Sequence, residues 1–348
     1  LADAVLNSTL PAGEMDREKD VILREIAMTR DDPDNRFWES FFATAFREHP
    51  YRFPIIGHRE VFAGVTRDEL LGYYRARYVP NNLVVVVAGD IDAAKTLAEI
   101  EKHFGAVPRG RLAPVFVPAE PPPLARRELH PFEDVELTRA GLAWQIPGLA
   151  HPDAPLLDLL ATMLGTGDSS VLWQAIREKA RLVHTIDVQS WNPGSVGLFC
   201  VSFTCDAEQR ESASVAIERE LARCAIRGFT AAQLRKAVRQ IVVGEINTRK
   251  TMAGQASRLG AAEVVVGDID YGRQYFSHLA AAKPADLRRV LKHYVLGGQA
   301  TSVSLNPKAA ASAASGSTPR PPSRPDFDEI RLPNGARLLL QPDHYLPN

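Results

Sequence analysis

The sequence predicts an α+β protein made of two related units. Amphipathic helical patterns alternate with short apolar runs of strand length, of which residues 83–89 are the clearest example. The same order of parts occurs twice, over 66–90 and again over 283–307: a helix that begins near an acidic residue and a leucine, a Tyr-Val pair at its end, a turn and a strand. A length of 348 residues allows about two domains with their own cores.

The composition narrows the possible partners. The 41 Lys and Arg nearly balance the 42 Asp and Glu, which argues against a nucleic-acid or membrane-surface partner. The apolar runs are far too short to span a bilayer. Cys200 and Cys205 are an odd number of residues apart, so on one strand they face opposite sides. With Cys224 as the third cysteine, we predict buried free thiols and no disulfide framework.

Local signals place the elements of the first unit. A helix is predicted over 15–28, and Asp32 is expected to cap the next helix, whose aromatic residues recur at helical spacing over 33–46. Thr66 and Glu69 fit a capping box that opens a further helix. The other predicted elements of this unit are an irregular loop at 47–65, a strand covered on both faces at 83–89 and a helix at 92–107 closed by Gly105.

The second unit follows a proline-rich stretch. Strands are predicted over 135–148 and 196–206, and helices over 153–165 and 171–182. Asn334-Gly335 between two apolar runs predicts a β-hairpin. The predicted organisation is a first domain at 1–112, truncated at its N-terminus, a linker at 113–130, a second homologous domain at 131–307, a disordered Ala/Ser/Pro-rich tether at 308–325 and the first hairpin of a truncated third unit at 326–348.

Two carboxylates on the first long helix are candidate site residues. Glu18 and Glu25 are seven positions apart, which brings them within about 20° of one direction on a helix. They share this stripe with Ile22, and a carboxylate in an apolar stripe favours a cation or metal partner. The nearby Arg17 and Arg24 favour the alternative, ordinary surface charges. This stretch alone leaves both interpretations open.

The loop "GTGDSS" at 165–170 is the second candidate. It lacks the Gly-Lys-Ser/Thr that follows the glycines of a nucleotide phosphate loop, so Walker-type nucleotide binding is not predicted. Asp168 or Ser169 could instead cap the following helix. A nucleophilic role for Ser169 or Ser170 would require a histidine and an acid within reach, which the sequence does not show.

Several longer stretches carry a family resemblance. The segments that carry it are "HPYRFPIIG", "TRDELLGYY", "YVPNNLVVVVAGD", "LGTGDSSVLWQAIREKARLVHTI" and "LPNGARLLLQPDHYLP". Together they resemble the pitrilysin/insulinase family of zinc peptidases, which includes the mitochondrial processing peptidase. The resemblance implies two homologous metallopeptidase-like α/β-sandwich domains, each a mixed sheet covered by helices. It also implies a zinc metalloendopeptidase that acts on peptides or unfolded proteins.

The resemblance assigns roles to the candidate residues. Glu25 matches the family's third zinc ligand, and Glu18 matches a carboxylate that supports the metal site. Gly165 and Gly167 match a glycine-containing loop that lines the peptide chamber. The family's other two zinc ligands are histidines of an H-x-x-E-H helix, whose glutamate is the general base that activates the zinc-bound water.

The H-x-x-E-H motif occurs nowhere in the 348 residues. We therefore expect this chain alone to be inactive and to need its missing second half or a partner subunit of the same family. The histidines of the loops and helices are expected to be structural or solvent-facing; those considered were His49, His58, His103, His151, His184 and His293.

Two alternatives remain open at this stage. The chain could be a non-catalytic family relative, either a peptide-binding or a scaffold subunit, or a generic α+β binding protein in which the motifs are coincidental. The Ala/Arg/Pro-rich composition suggests a bacterial source, and a cytoplasmic or periplasmic location is not fixed by the sequence.

Overall fold

The computed structural model describes residues 1–308, 328–332 and 337–340. Contacts divide the chain into two units, Leu1–Ala310 and Ala311–Asn348. The α-helices are α1 (Ala2–Leu6), α2 (Ala12–Asp31), α3 (Pro33–Ala45), α4 (Arg59–Gly64), α5 (Arg67–Arg77), α6 (Ala93–Phe104), α7 (Ala154–Gly165), α8 (Arg210–Arg227), α9 (Ala231–Arg249), α10 (Met252–Ala261), α11 (Tyr271–Ala281) and α12 (Pro284–Val290). The strands are β1 (Arg127–Leu129), β2 (Phe132–Glu133), β3 (Thr138–Pro147), β4 (Thr185–Trp191), β5 (Val196–Cys205), β6 (Thr301–Pro307), β7 (Asp328–Arg331) and β8 (Arg337–Leu340).

A mixed sheet forms the centre of the first unit. Its strand order is β1-β6-β3-β5-β4, and β2 also pairs with β6. The short strands β1 and β2 run parallel to β6, whereas β3, β4 and β5 pair in antiparallel fashion. The predicted strands at 135–148 and 196–206 are confirmed as β3 and β5. The fold is α+β with a mixed sheet covered by helices, as predicted.

The strands β3 and β5 are buried on both faces of the sheet, which explains their near-continuous apolar sequence. One face packs against α7, α8, α9 and α12 in the larger of two hydrophobic clusters. Cys205 belongs to that cluster, whereas Cys200 belongs to the cluster on the opposite face. Alternation along a strand predicted this, and all three cysteines are free and buried. Burial raises the pKa of the Cys224 thiol to about 11.

Helix α3 covers the second face of the sheet. It begins as predicted at Asp32, whose carboxylate accepts a hydrogen bond of 2.8 Å from the backbone N–H of Asp34. Its Phe37 and Phe41 are 3% and 0% exposed and pack on β3. Gly141 makes room for them, because a Cβ there would lie 2.8 Å from the Phe41 ring. An element predicted in the first domain thus supplies core for the sheet of the second.

The predicted strand at 83–89 is not formed. The segment has no β-pairing partner among the described residues, and Val84 and Val85 are 52% and 41% exposed. An apolar run becomes a strand only when a neighbouring strand satisfies its N–H and C=O groups. From residue 50 to residue 137 no apolar residue is buried, so this stretch has helices but no core of its own.

The helices of this stretch nevertheless follow their local signals. Thr66 and Glu69 form the predicted capping box, in which the Thr66 hydroxyl accepts from the Glu69 N–H and the Glu69 carboxylate accepts from the Thr66 N–H. Asp92 caps α6, accepting a hydrogen bond of 3.1 Å from the Lys95 N–H. Gly105 ends α6 as predicted, although in a right-handed conformation. Capping is a short-range property and therefore does not require tertiary packing.

Glu120 fastens the proline-rich segment to the loop after α3. Its side chain is 2% exposed and lies 3.7 Å from the Arg127 guanidinium. The carboxylate accepts hydrogen bonds from three consecutive backbone N–H groups, those of Arg47 (2.8 Å), Glu48 (2.8 Å) and His49 (2.9 Å). The segment around Glu120 is therefore anchored to the folded core.

We expect Glu120→Gln to lower the free energy of unfolding by about 1.5–3 kcal/mol at pH 7, because it weakens buried hydrogen bonds to a charged group. Burial raises the pKa of Glu120, but the three backbone donors and Arg127 outweigh it and hold that pKa below its ordinary value of 4.5. The stabilisation is then complete above pH 4.5 and is lost as the pH falls through the lowered pKa. Urea unfolding at pH 7 and pH 3 tests this, with the exposed Glu48→Gln as control; an equal loss at both pH values would contradict it.

The described part of the second unit is a pair of strands. β7 and β8 pair in antiparallel fashion, with Arg331 opposite Arg337. The predicted turn at Asn334-Gly335 lies outside the described residues, as does the predicted tether apart from Lys308. The domain boundaries proposed from the sequence stay predictions. Within the described residues, no helix has the length and apolar character needed to cross a bilayer.

Candidate functional site

Glu18 and Glu25 lie on α2, and both side chains are exposed. Ile26, beside Glu25, is the buried residue of this helix, and Ile22 is half-buried between the two acids. Among the described residues neither carboxylate has a hydrogen-bond or ion-pair partner. Helical geometry places both on one side of α2, as the sequence predicted. Both side chains therefore face solvent within the described part of the chain.

Glu18 lines a cavity of about 630 Å³ at the N-terminal end of the chain. The cavity is lined by α1, the following turn, α2 and the ends of α4 and α5. Lys19 crosses one side of it and donates a hydrogen bond of 2.8 Å to the Val65 carbonyl. Arg67 fixes the turn after α1 by donating to the carbonyls of Leu10 (2.6 Å) and Thr9 (2.9 Å). Glu25 is not among the lining residues.

The described residues do not form a metal site. No group of three or more His, Cys, Asp and Glu side chains within the described ranges has the spacing needed to hold a metal ion. The histidines that were expected to be structural have local roles. His49 is buried and accepts a hydrogen bond from the Tyr51 N–H through Nδ1 (3.3 Å), and His184 Nε2 lies 3.1 Å from the Asp206 carboxylate. Burial lowers the pKa of His49, partly opposed by Glu120.

The glycine-containing loop joins α7 to a π-helical turn at Trp173–Lys179. Gly165 is buried against β4, and a Cβ on it would lie 2.4 Å from the Val188 backbone nitrogen. Gly167 is exposed and has a φ of +80°, a conformation that favours glycine. The two glycines thus serve different purposes: one allows close packing and the other allows a turn.

The residues after the glycines have partners that the sequence did not predict. The Lys236 ammonium of α9 donates to the Ser169 hydroxyl. The Ser170 hydroxyl is buried and has no hydrogen-bond partner within the part of the chain that the structure describes. Neither Asp168 nor Ser169 caps the following helix; instead, Gln174 donates to the Asp168 carbonyl (2.6 Å). That cap prediction was wrong because the turn starts with backbone hydrogen bonds to the carbonyls of Gly167 and Ser170.

An ion pair fixes the opposite end of α7. Asp153 precedes α7, and its carboxylate accepts hydrogen bonds from Arg289 of α12 (2.9 and 2.5 Å) and from the Tyr294 hydroxyl (2.8 Å). The Arg289 hydrogen bonds hold the pKa of Asp153 below its ordinary value, partly opposed by burial. Sequence reasoning missed this cluster because Asp153 lies more than 130 positions from both partners.

The glycine loop and the exposed acids are therefore parts of one α+β unit whose sheet and helices match known proteins. The model of the peptidase M16 inactive domain matches residues 64–241. This chain belongs to the peptidase M16 family. The match begins before α5 and ends in α9, so it includes the glycine loop and most of the central sheet. The family resemblance seen in the sequence is confirmed.

Curated M16 relatives are bacterial proteins described as uncharacterized zinc proteases. The chain is 31% identical over 275 residues to one from Mycobacterium leprae, covering 77% of this chain and 60% of the relative. It is 26% identical over 268 residues to one from Bacillus subtilis, covering 77% of this chain and 64% of the relative. The chain thus spans about three fifths of the length of the curated relatives that it matches.

Solved structures show the same fold. A protease from Helicobacter pylori superposes with a TM-score of 0.77 at 25% identity, covering 86% of this chain and 73% of that one. A peptidase M16 inactive domain from Pseudomonas fluorescens gives a TM-score of 0.80 at 19% identity, covering 88% and 73%. The fold is also present in complex III2 from Candida albicans, with a TM-score of 0.71 at 17% identity, covering 88% and 73%.

Proposed function

We propose that this M16 chain is one part of a zinc metalloendopeptidase that degrades or processes peptides or unfolded proteins. The observation that supports it best is the combination of the inactive-domain match over 64–241 with relatives described as zinc proteases. In this proposal the domain around the central sheet forms part of the peptide chamber, and catalysis takes place on the catalytic domain to which α2 belongs.

The residues of the described ranges do not by themselves fit a zinc ion, since they contain no group of three potential ligands. We therefore assign zinc binding to a site that this chain completes only in part. Glu25 would supply one ligand, and Glu18 would support the site from the same side of α2. Both carboxylates are exposed on one side of α2, and the family resemblance of the sequence around them is what supports this assignment.

The proposal also includes a protein surface that covers the exposed apolar residues of 50–137. The stretch from residue 50 to residue 137 has no buried apolar residue, and apolar residues such as Val84, Val87 and Leu97 are 52%, 45% and 56% exposed. Apolar surface of this extent calls for a protein partner. We assign the cover to residues outside this chain, either the remainder of the same gene product or a partner subunit of the same family.

The glycine loop is assigned to the wall that faces substrate. Thr166, Gly167 and Asp168 are exposed, and the Gly167 turn leaves its backbone without a covering side chain. An extended peptide is recognised largely through its main chain, for which open backbone is suited. Gly165 would contribute indirectly, by holding the loop against β4.

Substitution of the two acids tests the proposal. This chain alone is expected to bind zinc substoichiometrically and to cleave no peptide, with or without Glu25→Gln. In the complete gene product, Glu25→Gln is expected to remove zinc and abolish cleavage, and Glu18→Gln to lower activity about 10–100-fold. The exposed Asp20→Asn of the same helix is the matched control and should change neither. Zinc content by atomic emission and hydrolysis of a quenched fluorescent peptide are the measurements.

A second function is favoured by one observation: the matching family model describes an inactive domain. In that case the chain would act as a non-catalytic peptide-binding or scaffold subunit. If the complete protein and its Glu25→Gln variant had equal zinc content and equal turnover, this function would be favoured over the peptidase. Peptide binding that persists without any cleavage would identify it.

A further inference from the structure

A second cavity, of about 430 Å³ and open to solvent, lies between helices, away from α2 and the glycine loop. Its wall is formed by α7, α9, α10, α11 and the π-helical turn at Ala262–Val266. Most of the lining is apolar, and three aromatic rings, those of Tyr271, Tyr275 and Phe276, stand on one side. An apolar cavity with a few polar groups is the usual form of a small-molecule site.

Asp158 is the polar group of α7 in this wall. Its Oδ2 accepts a hydrogen bond of 2.8 Å from the Tyr275 hydroxyl. Within the described residues no cationic side chain pairs with it. Burial raises the pKa of Asp158, partly opposed by the hydroxyl groups of Tyr275 and Ser190. A carboxylate held in an apolar wall without a counter-ion is costly, and a cation that entered the cavity would remove that cost.

Arg258 of α10, the cationic side chain among the described lining residues, pairs with Glu245, although its buried Nε has no hydrogen-bond partner in the described part of the chain. The Arg258 Nε lies 3.6 Å from Glu245 Oε1. Glu245 also accepts a hydrogen bond of 2.7 Å from the Arg249 guanidinium, so it is shared between two arginines. The Glu245 carboxylate is therefore neutralised by protein side chains, whereas the Asp158 carboxylate has no such partner in the described part of the chain.

We propose that this cavity binds a small molecule with a protonated amine and an apolar body about the size of one aromatic ring. The ammonium group pairs with Asp158, and the rings of Tyr271 and Tyr275 add a cation–π attraction. The body packs against Ile241 and Phe276. This site does not depend on the zinc peptidase assignment, and its failure would leave that assignment intact.

Isothermal titration of the full chain with 2-phenylethylamine tests the proposal. The neutral 2-phenylethanol and the anionic phenylacetate have the same ring. Comparison of the three ligands therefore separates the contribution of charge to the affinity from that of apolar packing. We expect the amine to bind at least about tenfold more tightly than either, since a charge-assisted hydrogen bond contributes that much. Asp158→Asn should lower the affinity for the amine by a similar factor, whereas the exposed Glu263→Gln of the adjacent π-helical turn should leave it unchanged.

A second variant keeps the test decisive if Asp158→Asn fails to fold. Gly244 lines the cavity and a Cβ on it would meet no atom within 4 Å, so Gly244→Leu is expected to fold and to fill part of the cavity. It should abolish binding of the amine and leave the far-UV circular dichroism unchanged. Three results would overturn the proposal: no binding of the amine at millimolar concentration, tighter binding of phenylacetate, or unchanged amine affinity in a folded Asp158→Asn protein.

Discussion

Phe41→Ala is expected to lower the free energy of unfolding by about 3–5 kcal/mol, the range for deletion of a fully buried phenylalanine ring. The Phe41 side chain is 0% exposed and belongs to the cluster in which α3 packs on the sheet. Its ring lies 5.4 Å from the Phe37 ring, 5.3 Å from the Trp38 ring and 6.3 Å from the Phe42 ring, so its removal also ends three aromatic contacts. The cavity would open beside Gly141, which has no side chain to fill it.

Urea unfolding followed by circular dichroism measures this loss. Phe53→Ala is the matched control, because Phe53 is 56% exposed and its truncation should change the stability by no more than about 0.5 kcal/mol. A loss below about 1 kcal/mol for Phe41→Ala would show that α3 is not part of the cooperative core. The α3 aromatics would then have to be assigned to a surface that binds another protein.

Gly165→Ala is expected to cost about 3 kcal/mol, although it adds a single methyl group. The new Cβ would lie 2.4 Å from the Val188 nitrogen and 2.6 Å from the Val188 Cβ. The backbone of β4 is fixed by its pairing with β5, so Val188 cannot move aside at little cost. Overpacking of this kind displaces backbone and side chains and usually costs about 1–3 kcal/mol, sometimes more.

Gly167→Ala provides the comparison within the same loop. A Cβ on Gly167 meets nothing within 4 Å, and its cost comes only from the φ of +80°. We expect a loss of about 1 kcal/mol, the lower end for an L-residue in the left-handed region. Thermal and urea unfolding of both variants distinguish the causes. Equal losses for the two substitutions would contradict the packing role of Gly165.

Glu18 and Glu25 on α2, and Asp158 in its cavity, are two separate candidate ligand sites. The acids are exposed on a helix and lack partners within the described residues, whereas Asp158 is half-buried and lines an open cavity between helices of the first unit. The substitutions at Glu25 and at Asp158 can therefore be combined, and their effects should be independent. Residues far apart without shared partners usually contribute additively.

The sequence was informative wherever a few neighbouring residues decide the outcome. Asp32, the pair Thr66 and Glu69, and the alternation that separates Cys200 from Cys205 all behave as predicted. Capping and strand alternation depend on the identity of residues within about one turn or one strand, so the sequence contains the necessary information. The strand predicted at 83–89 failed because strand formation depends on a neighbour that no local pattern reveals.

The long-range contacts could not have been predicted in the same way. Glu120 bonds to a backbone N–H 71 positions away, and Asp158 bonds to a tyrosine 117 positions away. Glu120 and Asp158 are common residue types, and no pattern in the neighbouring sequence marks either of them. Only the tertiary arrangement places Glu120 against distant backbone N–H groups and leaves Asp158 without a counter-ion among the described residues. Glu18 and Glu25 are the reverse case, since their common face follows from helix geometry alone.

By itself the sequence determined the caps at Asp32 and Thr66, the strands β3 and β5, the state of the cysteines and the membership of the peptidase M16 family. The tertiary structure decided that α3 belongs to the core of the central sheet, that residues 50–137 have no core of their own, and that Asp158 opens into a cavity. The physical reason is the distance along the sequence over which each interaction acts. The hydrogen bonds of helix caps, and the alternation of side chains along a strand, involve residues that are close together in the sequence. Burial and charge compensation depend on which distant surfaces meet.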